Sequence, residues 1–134
     1  MATGSVGLLE RGDVVWVDLR GAIGAEKQKT RPCVVVQNNV GNARSPLTIV
    51  VPITNGDTWR GYPHQVMVYA NELWDGAVDS VIDTGHIRSI DKDSRISSGA
   101  GILCRLGETR MIQVDRALQS LLGLPESPDP LPRW

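Results

Sequence analysis

The chain has 134 residues, 41% of them hydrophobic, with 14 Lys and Arg against 15 Asp and Glu and a formal net charge of −1. That length suits one domain, and the near-neutral balance excludes both a general nucleic-acid coat and a charge-swollen disordered chain. No apolar run approaches the roughly 18–20 residues that cross a membrane, and the start MATGSVGLLERGD lacks the basic and apolar blocks of a secretion leader, so a cytoplasmic location is expected.

Residues 1–9 are small and uncommitted and read as a flexible N-terminus. VVWVDL at 14–19 is β-branched and reads as a strand, with Trp16 facing opposite to Val15 and Val17 toward a dimer surface. GAIGAEKQKT at 21–30 has two glycines, no apolar period and a charged tip, the pattern of a long loop. CVVVQ at 33–37 is an unbroken apolar run, as expected of a strand covered on both faces. GNARSP at 41–46 is turn chemistry. LTIVVPI at 47–53 is a strand whose Pro52 implies an edge, a bulge or an end. NGDTWRGYPH at 55–64 is a second long loop, followed by strands at 65–69, 80–83 and 86–90 and a weaker one at 95–103.

The period then changes. Met111, Val114, Leu118 and Leu121 recur at steps of three and four, which predicts an amphipathic helix over 108–122, stopped by Gly123 and Pro125. The Pro-rich tail, 124–134, reads as extended or disordered. Phe is absent, so the core must come mainly from Val, Leu and Ile. Short strands followed by one C-terminal helix predict a mainly β fold: a small barrel in a single domain over 10–123, with the helix packed on it. The strands are too closely spaced for a parallel α/β sheet.

Three local patterns bear on chemistry. Arg11-Gly12-Asp13 reads as a strand entrance. In KTRPC at 29–33, Pro32 restricts Arg31 to an extended backbone, holding it where a loop meets a buried strand. There it serves either as a strand-end partner of a carboxylate or as a bidentate phosphate ligand. Thr54 sits where VPITN opens into the second loop, as a turn cap or as a hydroxyl facing a ligand. Basic residues outnumber acidic ones in 1–70 and are outnumbered in 71–134, which leaves room for a local basic site in the first half. Cys33 and Cys104 are far apart in the chain. Cys33 reads as a small buried hydrophobe, consistent with a reducing compartment.

In order, RGDVVWVDL, a G-x-E loop at Gly24 and Glu26, KTRPCVVVQNNVGN, LTIVVPITN and HIRSIDKDSRI resemble the MazF/PemK toxin family, from about Arg11 to Leu122. The resemblance implies an SH3-like β-barrel of the PemK/CcdB type with a C-terminal α-helix. It implies a sequence-specific, metal-independent endoribonuclease that cleaves single-stranded mRNA, works as a homodimer and is held inactive by an antitoxin of the MazE type. The family's catalytic arginine falls on Arg31 and its catalytic threonine on Thr54. Its RNA path follows the loops at 20–30 and 55–64. His86 occupies a position that is often Gln in the family.

The implied reaction is attack of the RNA 2′-hydroxyl on its own phosphodiester, giving a cyclic phosphate and a free 5′-hydroxyl. The nucleophile is tethered, so orientation, charge stabilisation and proton movement suffice. Arg31 suits the charge, and Thr54 adds a neutral donor. His64 and His86 lie on the RNA path and are the side chains whose ordinary pKa is near neutrality; either is a candidate for proton transfer, worth about 10²–10⁴-fold. Trp59 is the candidate base-stacking residue, with Arg60 beside it, and Lys27 and Lys29 are expected to track the backbone. There is no P-loop, G-x-G-x-x-G, H-x-x-x-H or cysteine pair, so no cofactor and no metal are expected. Two other readings stay open: a non-enzymatic CcdB-like poison that binds DNA gyrase, and an inactive antitoxin-binding barrel.

Overall fold

The structure, a computed structural model, describes residues 8–26 and 29–125. Seven strands form a curled antiparallel half-barrel: β1 (Asp13–Asp18), β2 (Thr30–Val35), β3 (Leu47–Asn55), β4 (Gln65–Val68), β5 (Ser80–Asp83), β6 (Arg88–Asp91) and β7 (Ile102–Arg105). The path runs β4-β5-β3-β2-β1-β7, with β6 on β3. Two short helical segments, α1 (Asn39–Arg44) and α2 (Lys92–Arg95), precede the C-terminal helix α3 (Glu108–Leu122). Among the described residues, no helix is long and apolar enough to cross a membrane.

The nine-residue β3 organises the sheet. One edge pairs with β2 throughout its middle; the other pairs first with β6, up to Val50, and then with β5, from Ile53. Pro52 falls in the gap between those two partners, rather than at an edge or end of the strand. The carbonyl of Ile49 accepts from Val36 N–H on the β2 side, so even-numbered residues of β3 turn their peptide groups to the other edge. The N–H that Pro52 lacks would have pointed into the gap, and no ladder bond is lost.

Side-chain alternation then gives the sheet two apolar faces. The first carries Val14, Val34, Val36, Val51, Ile53, Val66, Val68 and Ile82, and α3 covers it with Met111, Val114 and Ala117. The second carries Val15, Val17, Cys33, Val35 and Val50, closed by Leu9, Leu19, Ile90 and Ile96. The run at 33–36 is therefore buried on both sides, as its composition predicts. Leu9 belongs to this second core, although the sequence reading leaves 1–9 uncommitted.

Helix α3 has the expected bounds. Val114 is its most buried residue, and Ala117 rather than Leu118 is buried beside it, with Leu118 packing at the rim; the small side chain lets the helix lie close to the sheet. The helix ends in a Schellman motif: Gly123, at φ 69°, donates to Ser120 O, and Leu124 N–H donates to Gln119 O. Arg110 holds α3 to the turn at 70–72 through two bonds to Glu72, of 2.8 and 2.7 Å. The Arg11-Gly12-Asp13 entrance is structural. Arg11 binds Val36 O and Asp115, Gly12 turns at φ 97°, and buried Asp13 accepts from Arg105 at 2.7 Å.

Three predicted segments differ. Residues 39–44 are helical because the Asn38 side chain accepts from Gly41 N–H. The expected strand at 95–103 is reduced to Ile102–Arg105. Before it, Asp91 caps α2 by accepting from Ser94 N–H and Oγ at 2.9 and 2.8 Å, and the chain turns at 98–100. The strand expected at 86–90 begins at Arg88, because Thr84–His86 form a 3-10 turn capped by Asp83.

Candidate active site

The site grows out of the second face. Pro32 keeps Arg31 extended within β2, opposite Val17 of β1. The last β2–β3 rung is Cys33–Pro52; two residues further along each strand lie Arg31 and Thr54. Extending the register sets them across from one another on the face that holds Cys33 and Val35. The Arg31 Nε is buried with no hydrogen-bond partner among the described residues. Such an atom costs about 1–3 kcal/mol when left unsatisfied, so it marks a place where a ligand acceptor is missing.

Thr54 is 5% exposed. Its Oγ1 lies 3.0 Å from Thr58 Oγ1, while Thr58 Oγ1 donates its one proton to Asn55 O at 2.8 Å. With the Thr58 proton so used, Thr54 turns its own toward Thr58 Oγ1 or toward Val81 O, 3.5 Å away. Its hydroxyl proton is engaged, and donating to a phosphate requires exchanging that acceptor for the ligand.

Next to Arg31 on the same face lies the Cys33 thiol, which burial pushes up to about 12 against the pull of the Arg31 and Arg88 guanidinium groups. It is a neutral thiol near pH 7 and a poor nucleophile. A cleft of about 100 Å³, lined by Leu19, Glu26, Gly85, His86, Ile87 and Arg88, opens where the first loop meets the start of β6. His86 thus lies at this end of the molecule, beside Glu26 of the first loop. The base of that loop is pinned: Arg88 donates to Leu19 O at 2.9 Å, and Arg95 donates to Asp18 O and Arg20 O at 2.9 and 2.8 Å. Arg20 is spent on Asp18 through two bonds, which hold the Asp18 carboxyl well below the usual carboxylate range. Lys29 is exposed at the loop's far end, and Lys27 lies outside the described residues.

The second loop divides its residues. His64 sits 3.6 Å from Asp83, and its ring stacks on Tyr62 with centroids 5.4 Å apart. Its carbonyl accepts from Thr84 N–H and Oγ1, which ties the loop to the 3-10 turn that carries His86. Arg60 is exposed but folds Nη1 back onto Asp57 O and Trp59 O, each at 2.9 Å. Trp59 does not line the cleft that holds His86 and Arg88. It lies with Pro63 and Met67 against Arg110 and Arg116 of α3, in a groove of about 480 Å³ on the first face. Arg88 and Tyr62 escape motif reading. The signal for Arg88 is parity: it alternates with buried Ile90, so a charged side chain occupies an inward position of β6.

Residues 10–122 match the family model of the PemK-like, MazF-like toxin of type II toxin–antitoxin systems. Endoribonuclease MazF of Staphylococcus epidermidis is 38% identical over 117 residues, 87% of this chain and 93% of that protein. Endoribonuclease EndoA of Bacillus subtilis is 36% identical over 117 residues, 87% of this chain and 97% of that protein. The crystal structure of MazE-MazF (Form-II) from Deinococcus radiodurans has a chain with 27% identity and a TM-score of 0.67, covering 89% of this chain and 99% of that one. By sequence over most of its length, and by a barrel that superposes on solved members, this chain belongs to the PemK-like, MazF-like toxin family.

Proposed function

We propose that the Arg31–Thr54 end of the second face cleaves single-stranded RNA at specific sequences, without a metal ion. As a member of its family the chain is an endoribonuclease toxin; the proposal concerns how and where it cuts. The observation that carries it is Arg31 itself: held extended by Pro32, on the face that carries Cys33 and Val35, with a buried Nε that has no partner among the described residues. A phosphate oxygen supplies that partner.

The RNA 2′-oxygen forms a bond to phosphorus, the bond from phosphorus to the 5′-oxygen breaks, and a proton passes overall from the 2′-hydroxyl to the leaving oxygen. Arg31 stabilises the charge that grows on the phosphate, and Thr54 donates to it after releasing its own acceptor. His86, in the cleft, is placed for base contact or for the proton; His64, stacked on Tyr62, borders the same turn. Lys27, Lys29 and Arg60 supply positive charge along the two loops. Trp59, on the α3 side, belongs to the RNA path only where the strand crosses onto the first face. The working form is a homodimer in the cytoplasm, and its inhibitor is an antitoxin of the MazE type, as in the MazE-MazF structure from Deinococcus radiodurans.

Incubation of the purified protein with single-stranded RNA in EDTA tests the reading. We expect products with free 5′-hydroxyls that a polynucleotide kinase labels directly. Arg31→Ala should lose about 10²–10³ in turnover, and Arg31→Lys should not restore it, because an ammonium lacks the bidentate fork. Near-normal cleavage by folded Arg31→Ala rejects the assignment.

A further inference from the structure

We propose that Arg88 is a second phosphate-binding guanidinium of the Arg31 site. The inference rests on the RNA-cleaving reading above and adds a residue to it. Arg88 stands opposite Val50 on β3, and Val50 stands opposite Val35 on β2, so all three share the inner face with Cys33 and Arg31. It lines the cleft together with Glu26 and His86, and its neighbour along that face, Ile90, is core. An inward arginine among valines is costly unless it is paired or reaches solvent and a ligand. Its only hydrogen-bond partner among the described residues is the Leu19 carbonyl, a neutral acceptor at 2.9 Å, and none of the ion pairs formed there includes it. The thiol of Cys33 feels both Arg31 and Arg88, so the two cations flank one spot of the inner face. Arg88 lines the cleft and Arg31 lies on the same face two strands away; among the described residues neither forms an ion pair with a carboxylate, and two such cations on one face suit a polyanion backbone.

The competing explanation is that Arg88 only braces the loop base. Arg95 provides the control. It makes the same kind of bond, to the carbonyls of Asp18 and Arg20, and faces a different surface, beside Ser94 and Gly21. A bracing role predicts that Arg88→Gln and Arg95→Gln behave alike. A phosphate contact predicts that they differ.

The probe is a mixed-sequence 2′-O-methyl single strand, which keeps the phosphates and removes the attacking hydroxyl. Its affinity is measured as salt is raised. Arg88→Gln should lower the slope of log affinity against log salt by about 0.7, the value for one lost phosphate contact on a single strand. Arg88→Lys should restore the slope, and Arg95→Gln should leave it at the wild-type value. On the wild-type protein, which needs no substitution to fold, the Nε–H resonance of Arg88 should shift on adding the strand while that of Arg95 stays. An unchanged slope in folded Arg88→Gln, or an unmoved Arg88 resonance under saturating strand, overturns the proposal. If the wild type cuts RNA while Arg88 passes neither test, only this inference fails. If the wild type neither binds nor cuts RNA, both readings fall.

Discussion

The two faces of the β1–β2–β3 sheet come from the same strands and end differently. On the first, every inward position is apolar and α3 closes it. On the second, the apolar positions run through Val17, Cys33, Val35 and Ile90, and the same parity then passes to Arg31, Thr54 and Arg88. The end proposed as active is thus the continuation of a core, where methyl groups give way to guanidinium groups, rather than a loop attached to one. On the proposed reading, strand pairing and Pro32 set the direction of Arg31 and Thr54. It also means that the second face carries a buried polar atom with no partner among the described residues, the Arg31 Nε, a cost that the apolar burial of both faces offsets.

The largest test of that division compares Ile82→Ala with Arg31→Ala. Ile82 is fully buried in the first core. Removing it should cost about 2–5 kcal/mol by lost burial and an unfilled cavity, and cleavage should persist wherever the protein remains folded. Arg31→Ala should do the reverse: activity is lost and stability is unchanged or raised, because a buried unpaired donor goes with it. Urea midpoints and cleavage rates on both variants decide it. A large stability loss in Arg31→Ala breaks the contrast.

A smaller effect sits on the clamp between α3 and the 70–72 turn. Arg110 holds the Glu72 carboxyl below its usual range, chiefly through their hydrogen bonds, and the pair is mostly shielded from solvent. Glu72→Gln should cost about 1 kcal/mol at pH 7. A carboxylate with a lowered folded pKa stabilises above its unfolded value, near 4.5, and loses that contribution as pH falls through the folded one. The gap between wild type and Glu72→Gln should therefore close in acid. A gap that stays constant down to acid unfolding removes the ion pair as its cause.

Much of this division is legible in the sequence. The apolar run at 33–37 announces a strand covered on both sides, and steps of three and four announce α3. Pro32 before the buried run makes Arg31 conspicuous. What escapes local pattern is what depends on register or on a side-chain cap. Pro52 reads as a strand breaker, but β3 changes partners at that point. Asn38 and Asp91 turn short polar segments into helix by capping, which periodicity does not report. Trp59 next to Arg60 looks like part of a single RNA surface, and the loop sends it to the α3 groove instead. Arg88 becomes interesting only when β6 is laid beside Val50.

The smallest effect concerns the two thiols, which report on the two faces without disturbing either. Cys104 on β7 is half-buried, with its thiol raised by burial and by Asp13. Cys33 is fully buried and raised to about 12. If the second face is as closed as the first up to the level of Cys33, iodoacetamide at pH 8 should modify Cys104 first. It should then reach Cys33 only through unfolding, because a buried neutral thiol offers neither access nor thiolate. Ile82→Ala should accelerate Cys33 modification by at least about tenfold, the consequence of losing more than 1.4 kcal/mol of global stability. Peptide mass spectrometry over a time course separates the two sites. Should Cys33 react as fast as Cys104 in the wild type, the second face opens locally around the Arg31 end. The continuity between core and active site would then be lost, and the catalytic groups would have to be ordered by the RNA itself.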